Sequence, residues 1–230
     1  MVILLPLILL VSNAAGEYGV DTSNWGKPWT AAQLACLRQA DQRFLIVEAF
    51  RRSERVLPDA RTTVVNARAA GFDDGDVQLY HFPDAGMSPE AQVESTIEYF
   101  ADANRSAPFF LWLDVEGTQY WSPNCTNNTA FLHAMVGAAR ARLGDNNVGI
   151  YSSKSQWVPI TCDDASFSRL PLWRPHYDGR ADNDDWTEAA IGPFGGWKVG
   201  DVAMKQFNGT TQMCGINVDL DWRFHTTARR

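Results

Sequence analysis

The 230-residue sequence predicts an α/β fold built as a single irregular TIM-like barrel, and three observations carry that expectation. Short, nearly continuous apolar runs alternate with segments of helical period through the first two thirds of the chain, the pattern of parallel strands buried on both faces. Three more strand-like runs follow without amphipathic helices between them, bringing the count to about eight, enough to close a barrel. With 45% hydrophobic residues the chain can bury one full core, and no repeat, low-complexity tract or Pro/Ser-rich linker divides it.

The first strand is "EYGVDTS", followed by a helix over 30–40; "RFLIVEAF" leads to a helix over 59–70 and "DVQLYHF" to one over 88–104. In the third helix Ser88 is a good N-cap ahead of Pro89, and Val93, Ile97 and Phe100 recur at three and four residues along one face. "PFFLWLDVE" precedes a helix over 129–143, "NVGIYSS" is the fifth strand, and long loops are expected after Ser153. The last three strands are "LPLWRPHY", "VAMKQF" and "GINVDLDW", joined by Gly- and Asp-rich connections.

Ahead of the first strand lies "MVILLPLILLVSNAAGEYGVD", an apolar run of about eleven residues that ends in the small residues Ala14, Ala15 and Gly16. It reads as a secretory signal over 1–16, leaving 17–230 as the barrel domain. It is too short to span a bilayer, and no other segment is long enough. A secreted or lysosomal/phagosomal destination is oxidising or is reached through an oxidising route, so Cys36, Cys125, Cys162 and Cys214 are expected to form two disulfides, in one of three pairings. Asn104, Asn124, Asn127 and Asn208 head N-glycosylation sequons.

The formal charge of −7 argues against nucleic acid as a partner. No membrane contact is expected once the signal is removed, and nothing requires more than a monomer. The four histidines lack metal-ligand spacing, no CxxC pair occurs, and there is neither a P-loop nor a dinucleotide fingerprint. Neither a metal nor a cofactor is expected.

In "FFLWLDVEG", residues two apart share a strand face, so Phe110, Trp112, Asp114 and Glu116 point one way and Leu111, Leu113 and Val115 the other. Both acids then face the barrel axis at its C-terminal rim, where barrel enzymes place their chemistry, above Trp112 as an apolar floor. Asp21 ends the first strand and Asp219 lies late in the last, and those strands become neighbours when the barrel closes. A lone Asp at a strand end is more often a helix cap or a solvated loop residue. The second acid of Asp-Val-Glu on the same inward face shifts that balance. A glycosidase needs a protonated acid at the leaving oxygen and a second group that stabilises positive charge at the anomeric carbon, and clustered carboxylates supply both. Tyr80, Tyr151, Trp173 and Tyr177 lie toward strand ends, where aromatic side chains line sugar subsites, as do the further aromatics Trp25 and Trp157, although core packing is the default for any single ring.

The ordered set "YGVDTSNW", "VVNARAAGF", "LYHFP", "LWLDVEG", "VGIYSSKSQW", "LPLWRPHYDG", "GPFGGW", "MKQFNG" and "CGINVDLDW" resembles glycoside hydrolase family 25, the Ch-type lysozymes, in the lysozyme-like branch of lower eukaryotes. The similarity runs from about Tyr18 to Trp222. It implies a (β/α)5(β)3 barrel that hydrolyses the β-1,4 bond between N-acetylmuramic acid and N-acetylglucosamine in bacterial peptidoglycan, for digestion of bacteria or defence. It also implies Glu116 as general acid/base, Asp114 as the group that orients and stabilises the substrate's 2-acetamido group as it attacks the anomeric carbon, and Asp21 and Asp219 as supporting carboxylates. Retention of configuration follows from the same resemblance.

Glu48 in "LIVEAFRRS" departs from the family, which more often has a basic or neutral residue there; pairing with Arg51 or Arg52 is its structural explanation. A binding protein that kept the groove and lost turnover is the alternative reading, which the retained Asp114 and Glu116 argue against. A chitinase-like barrel is disfavoured because the fuller DxxDxDxE pattern is absent. For the disulfides, topology favours Cys36 with Cys214, where the first helix descends to the barrel bottom and the last strand is expected to enter, and Cys125 with Cys162 at the top after strands four and five.

Overall fold

Apolar runs that face both inward and outward close into a barrel in the computed structural model, which describes residues 16–22, 27–53, 55–101 and 109–224. In chain order the elements are β1 (Glu17–Thr22), α1 (Ala31–Gln39), β2 (Gln42–Arg51), β3 (Arg55–Val56), α2 (Pro58–Ala69), β4 (Val77–Phe82), α3 (Pro89–Ala101), β5 (Leu111–Asp114), α4 (Cys125–Leu143), β6 (Val148–Tyr151), α5 (Lys154–Thr161), β7 (Leu172–Pro175), β8 (Val202–Met213) and β9 (Ile216–Arg223). Around the barrel the order is β1-β2-β4-β5-β6-β7-β8-β9 and back to β1, while β3 only extends the end of β2. Pairing is parallel from β1 round to β8, and β9 is antiparallel to both of its neighbours.

The period of two along each strand separates two apolar layers. Phe44, Ile46, Phe110, Trp112, Trp173 and Met204 fill the barrel interior. Leu45, Val47, Leu79, Leu111, Leu113 and Ile150 face outward beneath the helices, where Leu34, Leu37, Val93 and Ile97 meet them. Space for the interior rings is made by glycine: a Cβ on Gly149 of β6 would lie 2.4 Å from the Trp112 ring. The Trp112 indole N–H donates to Gln78 Oε1 at 2.7 Å, so this floor is fixed as well as packed.

Several elements depart from the sequence expectation. The segment after Ser153, expected as a loop, forms the eight-residue helix α5 and buries Trp157 and Ile160. It is short and contains Pro159, so its periodic signal is weak. Helix α4 starts at Cys125 rather than at 129, because the Asn124 side chain caps it by accepting from the Thr126 N–H at 2.9 Å. The last strand does not enter from the barrel bottom. β8 runs parallel to β7, so the Cys214-Gly215 turn into antiparallel β9 lies on the C-terminal side.

Both expected disulfides are present, Cys36–Cys214 and Cys125–Cys162. The first ties the β8–β9 hairpin tip to α1 across 178 residues, with Cys214 arriving from the C-terminal side rather than on a strand entering from the barrel bottom. A crosslink closing a loop of that length restricts the unfolded chain by about 5 kcal/mol on the chain-entropy model. The second joins the first turn of α4 to the left-handed residue that ends α5.

Candidate active site

Asp114 is the last residue of β5, and Glu116 follows on a backbone held at each peptide group around it. The Val115 N–H donates to the Tyr151 carbonyl at 2.8 Å and Ser152 Oγ donates to the Val115 carbonyl at 2.7 Å. Trp121 Nε1 donates to the Glu116 carbonyl at 2.8 Å, and the Gly117 N–H, at a left-handed φ of 68°, donates to Gln156 Oε1 at 2.9 Å. The two carboxyl groups therefore rest on a rigid strand end, as positioned chemistry requires.

They open into a cleft of about 400 Å³ at the C-terminal rim, whose lining includes Tyr80, Tyr151, Tyr177, Gln206 and Asp219. Asp21 sits beneath that surface, 5% exposed, facing Asp219 across the β1–β9 ladder. Gln206 organises this side. Its carbonyl accepts from both Tyr151 OH and Tyr177 OH at 2.8 Å, and its amide donates to Asp21 Oδ2 at 2.6 Å and Asp219 Oδ2 at 3.3 Å. The four predicted acids and three of the four predicted aromatics are thus brought to one cleft.

The family model described as Lysozyme-like protein 1 matches residues 12–207. A Dictyostelium discoideum protein named "Probable GH family 25 lysozyme 2" is 33% identical over 220 residues, 96% of this chain and 97% of its own length. The chain belongs to glycoside hydrolase family 25. Lysozyme-like protein 5 of Caenorhabditis elegans is 32% identical over 214 residues, covering 91% of this chain and 92% of its own. Among solved structures, a family GH25 lysozyme from Aspergillus fumigatus superposes with a TM-score of 0.71 at 18% identity, over 93% of this chain and 96% of that one.

In this family 25 hydrolase, burial dominates the electrostatics of the cleft. Burial, and then the charges of Glu116, Glu48 and Asp21, raise the Asp114 carboxyl well above its usual range. Burial and then Glu48 raise Glu116. Asp21 is pushed up to about 7 by burial and by Asp219, with the Gln206 hydrogen bond opposing. Asp114 Oδ1 is buried and accepts no hydrogen bond.

Sequence reading missed Asp221, the second acid of "NVDLDW". It is fully buried on β9; Oδ1 accepts from Trp173 Nε1 at 2.8 Å, and no side-chain donor reaches Oδ2. Burial and the adjacent Asp21 raise its carboxyl well above the usual carboxylate range. The same reading missed Gln206, an amide amid the apolar positions of β8, and Gln156 of α5, which anchors Gly117. In each strand case the available signal was a polar residue at an inward position.

Trp173 is not a wall of the cleft. It lies two residues before the end of β7, 2% exposed, with its ring centroid 4.4 Å from that of Tyr151, and forms part of the floor. Trp157 is core, its indole N–H donating to the Asp164 carbonyl at 3.0 Å. Glu48 is 3% exposed and pairs with Arg51 through both carboxylate oxygens, the structural explanation given above. Asn124, Asn127 and Asn208 are exposed, whereas residues 1–15, Trp25 and Asn104 lie outside the described residues.

His176, Asp178 and Asp185 converge in the manner of metal ligands. Cations of the chain already neutralise them: Lys205 Nζ lies 2.8 Å from Asp178 and 3.2 Å from Asp185, and Arg174 closes on Asp185. This buried ion network secures β7 to β8 beneath Tyr177.

The raised acids make stability depend on pH with a definite sign. Between the unfolded value near 3.8 and about 7, Asp21 holds its proton in the folded chain more than in the unfolded one, so unfolding free energy falls as pH rises through that window. The shift corresponds to on the order of 4 kcal/mol for one carboxyl. Asp185 works oppositely: burial alone would raise it, but the Arg174, His176 and Lys205 contacts outweigh that, and its contribution is lost only in strong acid. The midpoint of chemical denaturation is expected to drop from pH 4.5 to pH 7.5, and Asp221→Asn to flatten that slope. A midpoint that rises with pH over this range would contradict the protonated cluster.

Proposed function

We propose that this family 25 hydrolase is a muramidase that cleaves the β-1,4 bond between N-acetylmuramic acid and N-acetylglucosamine in bacterial peptidoglycan, with retention by substrate assistance. The observation that carries the reading is Asp114: a buried carboxyl oxygen without a hydrogen-bond donor, two residues from a half-buried acid with raised pKa, at the foot of a sugar-sized cleft. Glu116 gives its proton to the glycosidic oxygen as the anomeric C–O bond breaks. The substrate's acetamido oxygen attacks the anomeric carbon, and Asp114 accepts the acetamido N–H. Glu116, now a carboxylate, then takes a proton from the water that opens the resulting ring. Asp21 and Asp219, fixed by Gln206, complete the anionic side of the cleft.

Two disulfides and three exposed sequons support a secreted or lysosomal/phagosomal setting. A net charge of −7 disfavours nucleic acid as a partner. The test is digestion of purified peptidoglycan at about pH 5 and pH 7 with mass spectrometry of the new reducing ends. Muramic-acid ends, more abundant at the lower pH because the raised Glu116 is then protonated, are the expected product. Ends on glucosamine alone, or none, would overturn the proposal.

A further inference from the structure

One wall of the cleft takes no part in the bond cleavage described above. Arg51 and Arg52 are adjacent at the end of β2 but have different fates. Arg51 is buried and turned to Glu48. Arg52 lines the cleft with its guanidinium carbon 4.4 Å from the centre of the Tyr120 ring, and Tyr120 is itself edge-on to Phe82 at 5.9 Å. Arg52 forms no salt bridge among the described residues, although Asp84 feels its charge, and its Nε is buried without a hydrogen-bond acceptor. The nearby Asp84 is taken by Arg55 at 2.6 Å.

The other charged residues of the lining are Arg51, which is held by Glu48, and the acids Asp114, Glu116 and Asp219. Arg52 is therefore the cation of the lining that an anionic ligand meets without displacing a salt bridge. A guanidinium that lines the cleft and is steadied on an aromatic ring suits a carboxylate. We propose that Arg52 is the specificity-determining residue that binds a carboxylate of the muramoyl unit and so selects muramic acid over neutral amino sugars. The inference rests on the muramidase reading. That carboxylate is the lactyl group when the sugar is bare, or one of the stem peptide's when the lactyl group is amidated.

The test measures binding in the inactive Glu116→Gln background, with and without Arg52→Gln, to three purified ligands: glycan strands bearing stem peptides, strands stripped of peptide, and chitin oligosaccharides. Loss of the charged contact is expected to weaken binding of muramoyl strands about tenfold and to reduce its salt dependence, leaving chitin oligosaccharides unchanged. A loss confined to stripped strands assigns the lactyl carboxylate; a loss confined to peptide-bearing strands assigns the stem. Arg52→Lys should recover part of the affinity, and Tyr120→Ala should mimic the loss by releasing the guanidinium. Equal weakening for chitin oligosaccharides, or no change with any ligand, overturns the inference while leaving the muramidase reading intact. Failure of the Glu116→Gln parent to bind any muramoyl strand overturns both.

Discussion

Glu116→Gln is expected to lower kcat on peptidoglycan by roughly 10²- to 10⁴-fold, the range associated with losing a positioned general acid/base. The amide keeps the shape of the side chain but has no acidic proton for the leaving oxygen and cannot deprotonate water in the second step. Folding should be little changed, since the contacts that fix this position are made by backbone groups: the Glu116 carbonyl with Trp121 and the Gly117 N–H with Gln156. Thermal midpoint and glycan affinity should therefore stay near wild type. The pH profile adds an independent check. Burial and Glu48 raise the Glu116 carboxyl, so wild-type kcat/KM should fall as pH rises through that raised value, and this limb should vanish in the variant. A variant that keeps wild-type kcat would remove Glu116 from the mechanism.

The fold was legible where local pattern and tertiary role coincide. β2, β4 and β5 are buried on both faces, so their apolar runs stand out. The direction of β9 was not legible from its apolar content, since a run of buried residues reads the same either way along the barrel. A turn signal was present. Cys214 and Gly215 have φ of 52° and 76°, a two-residue connection with both residues left-handed, the geometry of a tight hairpin. It was masked because the polar stretch from Asn208 to Gln212 reads as a loop, whereas β8 extends to Met213. That extension carries Cys214 to α1 by a hairpin rather than on the start of a strand.

The acids of the site were legible through alternation. Asp114 and Glu116 follow Trp112 at steps of two, and Asp21 meets Asp219 in register. The layer at which a side chain sits along the barrel axis was not legible from the same rule, which gives a face but no height. Trp173 therefore falls to the floor while Tyr177, beyond the strand end, rises to the rim. Gln206 and Asp221 were missed for a related reason: their roles depend on partners from β1, β6 and β7 that meet only when the barrel closes.

Asp114→Asn is expected to reduce kcat by about 10²- to 10³-fold, comparable to the loss of one electrostatic contact to the transition state. Asp114 lines the cleft, where its carboxyl can accept the acetamido N–H, and burial makes that contact strong when formed, because no water competes. Asparagine retains a carbonyl acceptor but not the ability to take on the developing positive charge as the acetamido oxygen closes on the anomeric carbon. A cyclic thiazoline analogue of that closed state should bind the wild-type enzyme well and the Asn variant far more weakly, while the simple disaccharide product should bind both alike. The competing assignment makes Asp114 the nucleophile, and azide separates the two. A displaced nucleophile would let azide restore turnover and form an α-glycosyl azide, whereas attack on the acetamido-derived ring from the opposite face forms the β-anomer. Recovery of the α-glycosyl azide from the variant would rule out substrate assistance; the β-anomer, or no rescue together with lost thiazoline affinity, would leave Asp114 as the group that holds the acetamido in place.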